Sequence, residues 1–491
     1  MPPFVIKLMR AAAMEQEKNK TIFESMPVPE AVRTMALPTV ISQLIVLIYN
    51  MADTFYLGRT NNPFMVAGVS LILPVFNICL SLAGLSGIGG GALVSRLLGA
   101  GEPEEAEKVS AFSIHLAVAT TAFFSIAMLL FMNPILGLLG ASGNTLSYAR
   151  QYSFCVIVLG GVPTVLSNVM ANLLRSVGES GKAGFGIAMG GILNIILDPL
   201  FMFVLFPAGR EVLGVGVATL ISNCCACLFF IITILQLGQK TVLRFGISRG
   251  RPQKSAGQAP HTGGFPRPEN VRSVFTVGIP SSVATLLFDI DYIVIDKLMS
   301  GYGDIALAAI GIVLKAERLP LNTGIGICQG MMPLVAYNYS SGDRKRMFSI
   351  IRFSLIAGLT VGALSVAMYE ISAGAIMRLF IADPETVRLG TDFLRIRSLA
   401  TPLMFMSFFT VYTFQGFGRG ERSLFLGVMR WAAFNIPMLF ILNHFIGMYG
   451  IVWSQVTADI LTVALSAYVY FSFRKTLAEE GPPSRTAGRS L

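Results

Sequence analysis

Long apolar runs, separated by short polar or basic stretches, dominate the chain. "IHLAVATTAFFSIAMLLF" (114–131), "GVGVATLISNCCACLFFIITILQL" (214–237) and "FSLIAGLTVGALSVAMY" (353–369) contain no acidic or basic residue apart from one histidine. A helix needs about 20 such residues to cross a bilayer. Membrane barrel strands would instead be roughly 10 residues long and would alternate in polarity. The pattern therefore predicts an all-α integral membrane protein with twelve transmembrane helices. Their spans are 32–58, 64–98, 108–139, 147–175, 183–206, 212–238, 271–299, 304–338, 346–380, 387–418, 423–446 and 449–473.

The middle of the chain breaks this rhythm. Residues 239–270 are rich in Gly, Pro and basic residues, which reads as a flexible linker. A midpoint linker calls for a repeat test. At an offset of 241 residues "GGGALVSRLLGAGE" (89–102) lies on "GMMPLVAYNYSSGD" (330–343), and Asn194-Ile195 lies on Asn435-Ile436. Near the start of each half, at an offset of 242, Leu37-Pro38 lies on Ile279-Pro280. A nearly constant offset through several helices predicts two six-helix lobes related by a pseudo-twofold axis. The boundaries expected are a tail over 1–30, an N-lobe over 31–238, the linker 239–270, a C-lobe over 271–474 and a tail over 475–491. Each half holds an even number of spans, so the axis should run along the membrane normal, with a substrate site between the lobes.

Composition agrees with membrane burial: charged residues are 13% of the chain, against roughly 25% in soluble proteins. The net charge of +10 does not point to nucleic acid, because the basic residues cluster in loops. Loops after even-numbered helices carry Arg96, Lys108, Arg175, Lys182, a run from Lys240 to Arg272, then Arg344, Lys345, Arg346, Arg419 and Arg422. Loops after odd-numbered helices carry little beyond Arg59, Arg150, Arg210 and Arg388. The positive-inside rule then puts both termini in the cytoplasm, in a multi-pass protein of the inner membrane. Residues 11–30 are polar and followed by no cleavage pattern, so the first span is expected to direct insertion itself. Cys224, Cys225 and Cys227 have no second pair or nearby histidine to complete a metal site and read as small apolar packing.

Intramembrane acids cost roughly 2.5–3.5 kcal/mol each on insertion scales and usually face a cavity or a partner. "LNIILDPLFMF" (193–203) is apolar except for Asn194 and Asp198, which are four apart and share a helix face. Asp198 either takes up and releases a cation or repairs backbone groups freed by Pro199. The repeat favours the first reading, since the counterpart of Asp198 is Leu439 while Asn435 is kept: the helix folds without the acid. Asp53 lies four residues after Tyr49. In the second half, Asp289 and Asp296 share a face, and Asp291 points nearly the opposite way. Asp296 is expected to pair with Lys297, and Glu317 either to be neutralised by its neighbours Lys315 and Arg318 or to contact substrate. Glu370 and Asp459 read as isolated acids.

"LPTVISQLIVLIYNMADTFYLGR" (37–59), "GGGALVSRLLGAGEPEEAEKV" (89–109), "NLLRSVGESGKA" (172–183), "LNIILDPLF" (193–201) and "GMMPLVAYNYSSGDRKR" (330–346) resemble the multidrug and toxic compound extrusion (MATE) family. The resemblance covers about 30–474 and is closest to the prokaryotic branch with acids in the N-lobe. It implies a V-shaped pair of lobes that exports bulky, lipophilic, often cationic compounds in exchange for Na+ or H+. It carries the ion site to Asp53, Asp198 and Asn194, with Asn172, Thr219 and Tyr152 as companions, and Na+ would sit at Asp53, Asp198 and Asn194. Asp289, Asp291, Glu317, Gln329 and Asn168 are further candidates along the substrate cleft, although the Asp289/Asp291 pair replaces what the family usually keeps as a polar, uncharged stretch of helix 7, and bending of helices is expected at Pro38 and Pro199. No cofactor beyond the coupling ion is expected, and the partners are small lipophilic or cationic substrates and the bilayer, with a monomer as the assembly. The alternative within the superfamily is a lipid-linked oligosaccharide flippase, which wants a cationic cleft. No Walker motif or His/Asp/Glu cluster supports an ATP-driven pump or a membrane enzyme, and a channel fits the two-lobe repeat less well than alternating access.

Overall fold

The computed structural model describes residues 21–60, 62–207, 209–237, 240–246 and 264–479, and among them it is all-helical, without a strand. The main helices are α1 (Val28–Gly58), α2 (Pro63–Gly99), α3 (Pro103–Leu130), α4 (Leu146–Leu159 with Gly161–Ser176), α5 (Ser180–Leu205) and α6 (Glu211–Leu237) in the first half. The second half holds α7 (Pro268–Ser300), α8 (Asp304–Ser340), α9 (Arg344–Phe380), α10 (Pro384–Ser398 with Thr401–Gly416), α11 (Gly420–Ile446) and α12 (Met448–Glu479). Nine of the described helices are long and apolar enough to cross a membrane, ten if the two pieces of α4 form one span bent by 47°. The two long elements outside that set, α8 and α10, carry charge in their interiors, among it Glu317 and Arg397.

Prolines explain most of the irregularities. A proline lacks the N–H that would bond the carbonyl four residues earlier. The turn at 71–72 in α2 precedes Pro74, the break at Phe131 precedes Pro134, Gly160 precedes Pro163, and Leu399-Ala400 precedes Pro402. The break at Phe131 divides the expected span 108–139 into α3 and a short helix, Met132–Leu138. In α11 the winding loosens to a π-helix over Met429–Asn435, just before Pro437. Pro38, by contrast, lies inside an unbroken α1, and Pro199 inside a helix that loosens to π winding only at Phe201–Leu205.

α1 is gripped from both sides. Gly326 and Gly330 of α8 let the backbone of α1 approach closely: a Cβ on Gly330 would lie 2.5 Å from Cα of Ala36, and one on Gly326 2.7 Å from Cα of Val40. On the opposite side a Cβ on Gly184 of α5 would lie 2.5 Å from the Pro38 carbonyl oxygen. Small residues permit such packing where no hydrophobic effect drives helices together. Gly330→Ala is expected to force α1 off α8 and to lower stability by about 1–3 kcal/mol, the usual range for overpacking. Thermal unfolding of the purified protein checks this, and an unchanged midpoint would mean that the contact yields.

The halves also meet at the end of the bundle that carries the basic loops. Arg267 pairs with Glu102 at 3.0 Å, Asn270 donates to Glu105 at 2.9 Å, and Arg96 donates to Ser273 Oγ at 2.9 Å. The segment before α1 seals the same end: Ile22 and Phe23 are buried, Tyr337 donates to Glu24 at 2.6 Å, and Arg346 donates to the Phe23 carbonyl at 2.7 Å. The last residues of the expected N-terminal tail are thus docked on the second half. Of the expected linker, 239 and 247–263 lie outside the described residues. Its leading edge is pinned, with Leu243 fully buried and Arg244 paired with Glu107 at 3.4 Å. α12 runs on to Glu479, and Leu477 of the expected C-terminal tail is buried, its carbonyl accepting from Arg344.

Candidate functional site

Two buried polar clusters occupy equivalent places in the two halves. In the first, α5 sets Asn194 and Asp198 one turn apart, 3% and 0% exposed. The Asn194 amide donates to Asp198 Oδ1 at 3.1 Å and approaches Thr219 Oγ1 of α6 at 3.4 Å. Asp53 of α1, half-buried, brings its carboxyl within hydrogen-bonding reach of Asp198. The hydroxyls of Tyr49 and Tyr152 stand close enough to interact with both acids. Tyr49 fits there because α5 has Gly191 opposite it, where a Cβ would lie 3.0 Å from the ring. Asp53 Oδ1, Asp198 Oδ2 and Asn194 Oδ1 are buried oxygens without a donor. Two carboxylates this close cannot both stay charged unless a proton or a cation lies between them, and no Lys or Arg among the described residues pairs with either.

The structure thus brings together Asp53, Asp198, Asn194, Thr219 and Tyr152, of which spacing alone joined Asn194 and Asp198 and the resemblance the rest. Asn172 lies apart from this set: its amide bonds the Asn168 carbonyl at 3.0 Å, and its oxygen accepts from Arg175 at 3.2 Å. Asn168 likewise bonds its own helix, at the Thr164 carbonyl. Tyr49 belongs to the cluster and was legible only as the residue one turn before Asp53.

The second cluster is larger and contains fixed countercharges. Arg397 of α10 donates to Glu317 Oε2 of α8 at 2.8 Å, with both side chains buried. Arg430 of α11 pairs with Asp459 of α12 at 3.0 Å, and its guanidinium lies over the rings of Trp431 and Phe408 at 4.4 and 4.5 Å. Gln455 links the parts by donating to Asp459 at 2.6 Å while facing Arg397 and Asn435. Asn435 donates to Asp291 of α7 at 2.7 Å. Three acids against two arginines leave one negative charge over, and Asp291, whose Oδ2 has no partner, is the acid without an arginine of its own.

This network corrects several expectations. Glu317 is neutralised not by Lys315 or Arg318, its neighbours in sequence, but by Arg397, which is distant in sequence and adjacent in the bundle. Asp459 is not isolated but salt-bridged. Asp296 and Lys297 are both exposed and form no ion pair. Asp289 faces Arg318 and Asn77 of α2, on the side where the halves meet. Gln329 accepts from Gln43 of α1 at 3.1 Å and approaches Tyr412 at 3.4 Å, which also puts it between the halves. Arg397 and Arg430 went unread, although basic residues inside apolar helices are as costly as acids and would have signalled partners.

The clusters are built on one plan. Asn435 is the repeat counterpart of Asn194, Leu439 of Asp198, Asp291 of Tyr49 and Ile295 of Asp53. In each half the asparagine donates to an aspartate, but the acid comes from its own helix in the first half and from α7 in the second.

The MatE family model matches residues 38–200 and again 280–441, the two halves of this repeat in register. The chain belongs to the MatE family. Its curated relatives include the multidrug export protein MepA of Staphylococcus haemolyticus (strain JCSC1435), 28% identical over 455 residues that make up 93% of this chain and 96% of MepA. MepA of Staphylococcus aureus (strain N315) is 29% identical over 456 residues, with the same coverage. Among solved structures, a MATE transporter in complex with MaL6 superposes with a TM-score of 0.84 at 22% identity, over 94% of this chain and 99% of that one. An outward-facing MATE transporter gives 0.83 at 22% identity, over 91% and 96%. The MatE chain is therefore an all-helical, multi-pass membrane protein of a transporter family.

Proposed function

We propose that this MatE protein is a secondary antiporter that exports bulky, lipophilic, often cationic compounds across the cytoplasmic membrane in exchange for H+ or Na+. One observation carries the reading: the Asp53–Asp198 pair is buried with no fixed countercharge, while Glu317 and Asp459 of the second half are held by Arg397 and Arg430. A carboxylate pair without a resident cation needs a mobile one. Asn194 and Thr219 offer neutral oxygens that fit a small cation or a protonated carboxyl equally well. Binding from outside neutralises the pair and changes which packing of α1 against α5 is favoured, and that packing bias is the coupling. Because α1 also packs on α8, a shift of α1 reaches the interface between the lobes.

The reading takes α8 and α10 as membrane spans as well, giving twelve crossings in two six-helix lobes. α8 carries Lys315, Glu317 and Arg318 in its interior and α10 is broken into pieces of 15 and 16 residues, but Glu317 and Arg397 neutralise one another inside the second lobe, which lets both helices lie in the bilayer. With both termini cytoplasmic, the sealed end described above is the cytoplasmic one. Export by the MepA relatives supports a drug-like substrate, and monomeric action needs no further partner. A lipid-linked sugar flippase is not favoured, because both buried arginines of the second cluster are engaged by acids.

The test is efflux of ethidium from energised vesicles, with a Na+ gradient and a pH gradient imposed separately. One gradient should drive efflux and so name the ion. Efflux indifferent to both gradients would refute the antiporter reading.

A further inference from the structure

Away from both clusters, a cavity of about 530 Å³ opens between α9, α10 and α12. All of its lining residues belong to the second half. Its walls are apolar and aromatic: Phe348 and Leu355 of α9, Met406 and Phe409 of α10, and Tyr470 of α12. Arg352 and Arg474 also line it. Both are exposed, and neither has a carboxylate partner among the described residues. Arg474 is held over the Phe348 ring at 5.1 Å, which positions the guanidinium without neutralising it. Deeper in, Ser466 is 3% exposed and its hydroxyl has no hydrogen-bond partner. No acid contributes to the lining. The neighbouring surface is strongly apolar and exposed, with Ile356 at 54% and Phe471 at 57%, so the cavity opens sideways toward lipid tails rather than toward water.

We infer that this groove is a binding site for an anionic phospholipid, with an acyl chain in the aromatic slot, the phosphate between Arg352 and Arg474, and the ester region within reach of Ser466. The chemistry selects this occupant. Two unpaired guanidiniums repel the cationic substrates proposed for the protein and attract a phosphate. A zwitterionic headgroup would bring its own ammonium against them. Basic pockets between membrane helices at the cytoplasmic surface recognise anionic headgroups in this way. The groove lies at the end of the helices that carries Arg344, Lys345, Arg346, Arg419 and Arg422. Its assignment to the inner leaflet rests on the orientation proposed above, whereas binding itself does not.

The experiment uses the purified full-length protein, delipidated in detergent, with dioleoyl phosphatidylglycerol, dioleoyl phosphatidylcholine or glycerol phosphate added. Native mass spectrometry reads bound lipid and thermal unfolding reads stabilisation. Phosphatidylglycerol is expected to bind on the order of tenfold or more tightly than phosphatidylcholine, the size of preference two arginines provide at a lipid surface. Glycerol phosphate should do little without a chain. The double variant Arg352→Gln/Arg474→Gln alters only exposed side chains and should fold, losing the preference. Ala467 of α12 also lines the slot, and Ala467→Phe, which fills it and keeps both arginines, should lose binding of the lipid altogether. Equal binding of the two lipids, an unchanged preference in the double variant, or equal stabilisation by glycerol phosphate would overturn the proposal. Asp198→Asn protein should bind the lipid as the wild type does, so failure here leaves the transport reading standing.

Discussion

Asp198→Asn is expected to reduce gradient-driven efflux to the rate seen with no gradient, while leaving a folded protein that still binds ethidium. The amide keeps the shape of the side chain and its contact with Asn194, but it has no charge to lose. A pH step supplies about 1.4 kcal/mol per unit only to a group that takes up the proton. Without such a group the gradient biases neither conformation, because a ligand shifts an equilibrium only by its differential affinity for the two states. The fall should be on the order of tenfold or more for a one-unit step. Folding is not at risk, since the repeat counterpart Leu439 is fully buried in the equivalent helix. Asp53→Asn should weaken coupling by the same route, because it removes the second half of the pair. Efflux is measured in vesicles under an imposed gradient, and ethidium binding by fluorescence anisotropy in detergent. Full gradient-driven export by Asp198→Asn would end the claim that this acid couples transport.

Arg397→Met is expected to be among the most damaging substitutions for stability, at roughly 3–5 kcal/mol. The arginine is 1% exposed and bonds Glu317, which is itself 3% exposed. Removing it leaves a buried carboxylate facing Asp291 and Asp459 with Arg430 as the sole cation. The double variant Glu317→Leu/Arg397→Met should recover most of the loss, since replacing both members of a buried pair by apolar residues is often neutral. A double-mutant cycle on thermal unfolding separates the two outcomes. A single variant within about 0.5 kcal/mol of wild type, as at an ordinary surface position, would show that water reaches the pair. The contrast between the halves sharpens the point: in the first, neutralising an acid should cost coupling and little stability, and in the second, the reverse.

Where sequence reading succeeded and failed follows from the range of the interactions. Asn194 and Asp198 were legible as a unit because i,i+4 spacing on a helix puts them on one face whatever surrounds them. The repeat was legible because Pro38, Gly89, Gly101 and Asn194 recur as Pro280, Gly330, Gly342 and Asn435 at a nearly constant offset. Asp53 joining Asp198 could be expected only through resemblance, since the two are brought together by α1 lying along α5. Local neighbours misled in the second half. Glu317 sits beside Arg318, but Arg318 turns toward the rings of Phe288 and Tyr292 and the partner arrives from α10. Asp459 looked isolated because Arg430 belongs to another helix.

By itself the sequence determined that this chain is a helical membrane protein of two similar halves. Bilayer insertion is decided by runs of about 20 residues, and a repeat is a property of the string. It also determined that Asn194 and Asp198 act together. Only the tertiary structure decided which acids have a permanent countercharge. That depends on whether an arginine from a distant helix reaches the acid, as Arg397 and Arg430 do for Glu317 and Asp459, and as none does for Asp53 and Asp198. The reason is physical: helix periodicity acts over one or two turns, whereas neutralising a buried charge depends on contacts of a few ångströms between segments tens to hundreds of residues apart.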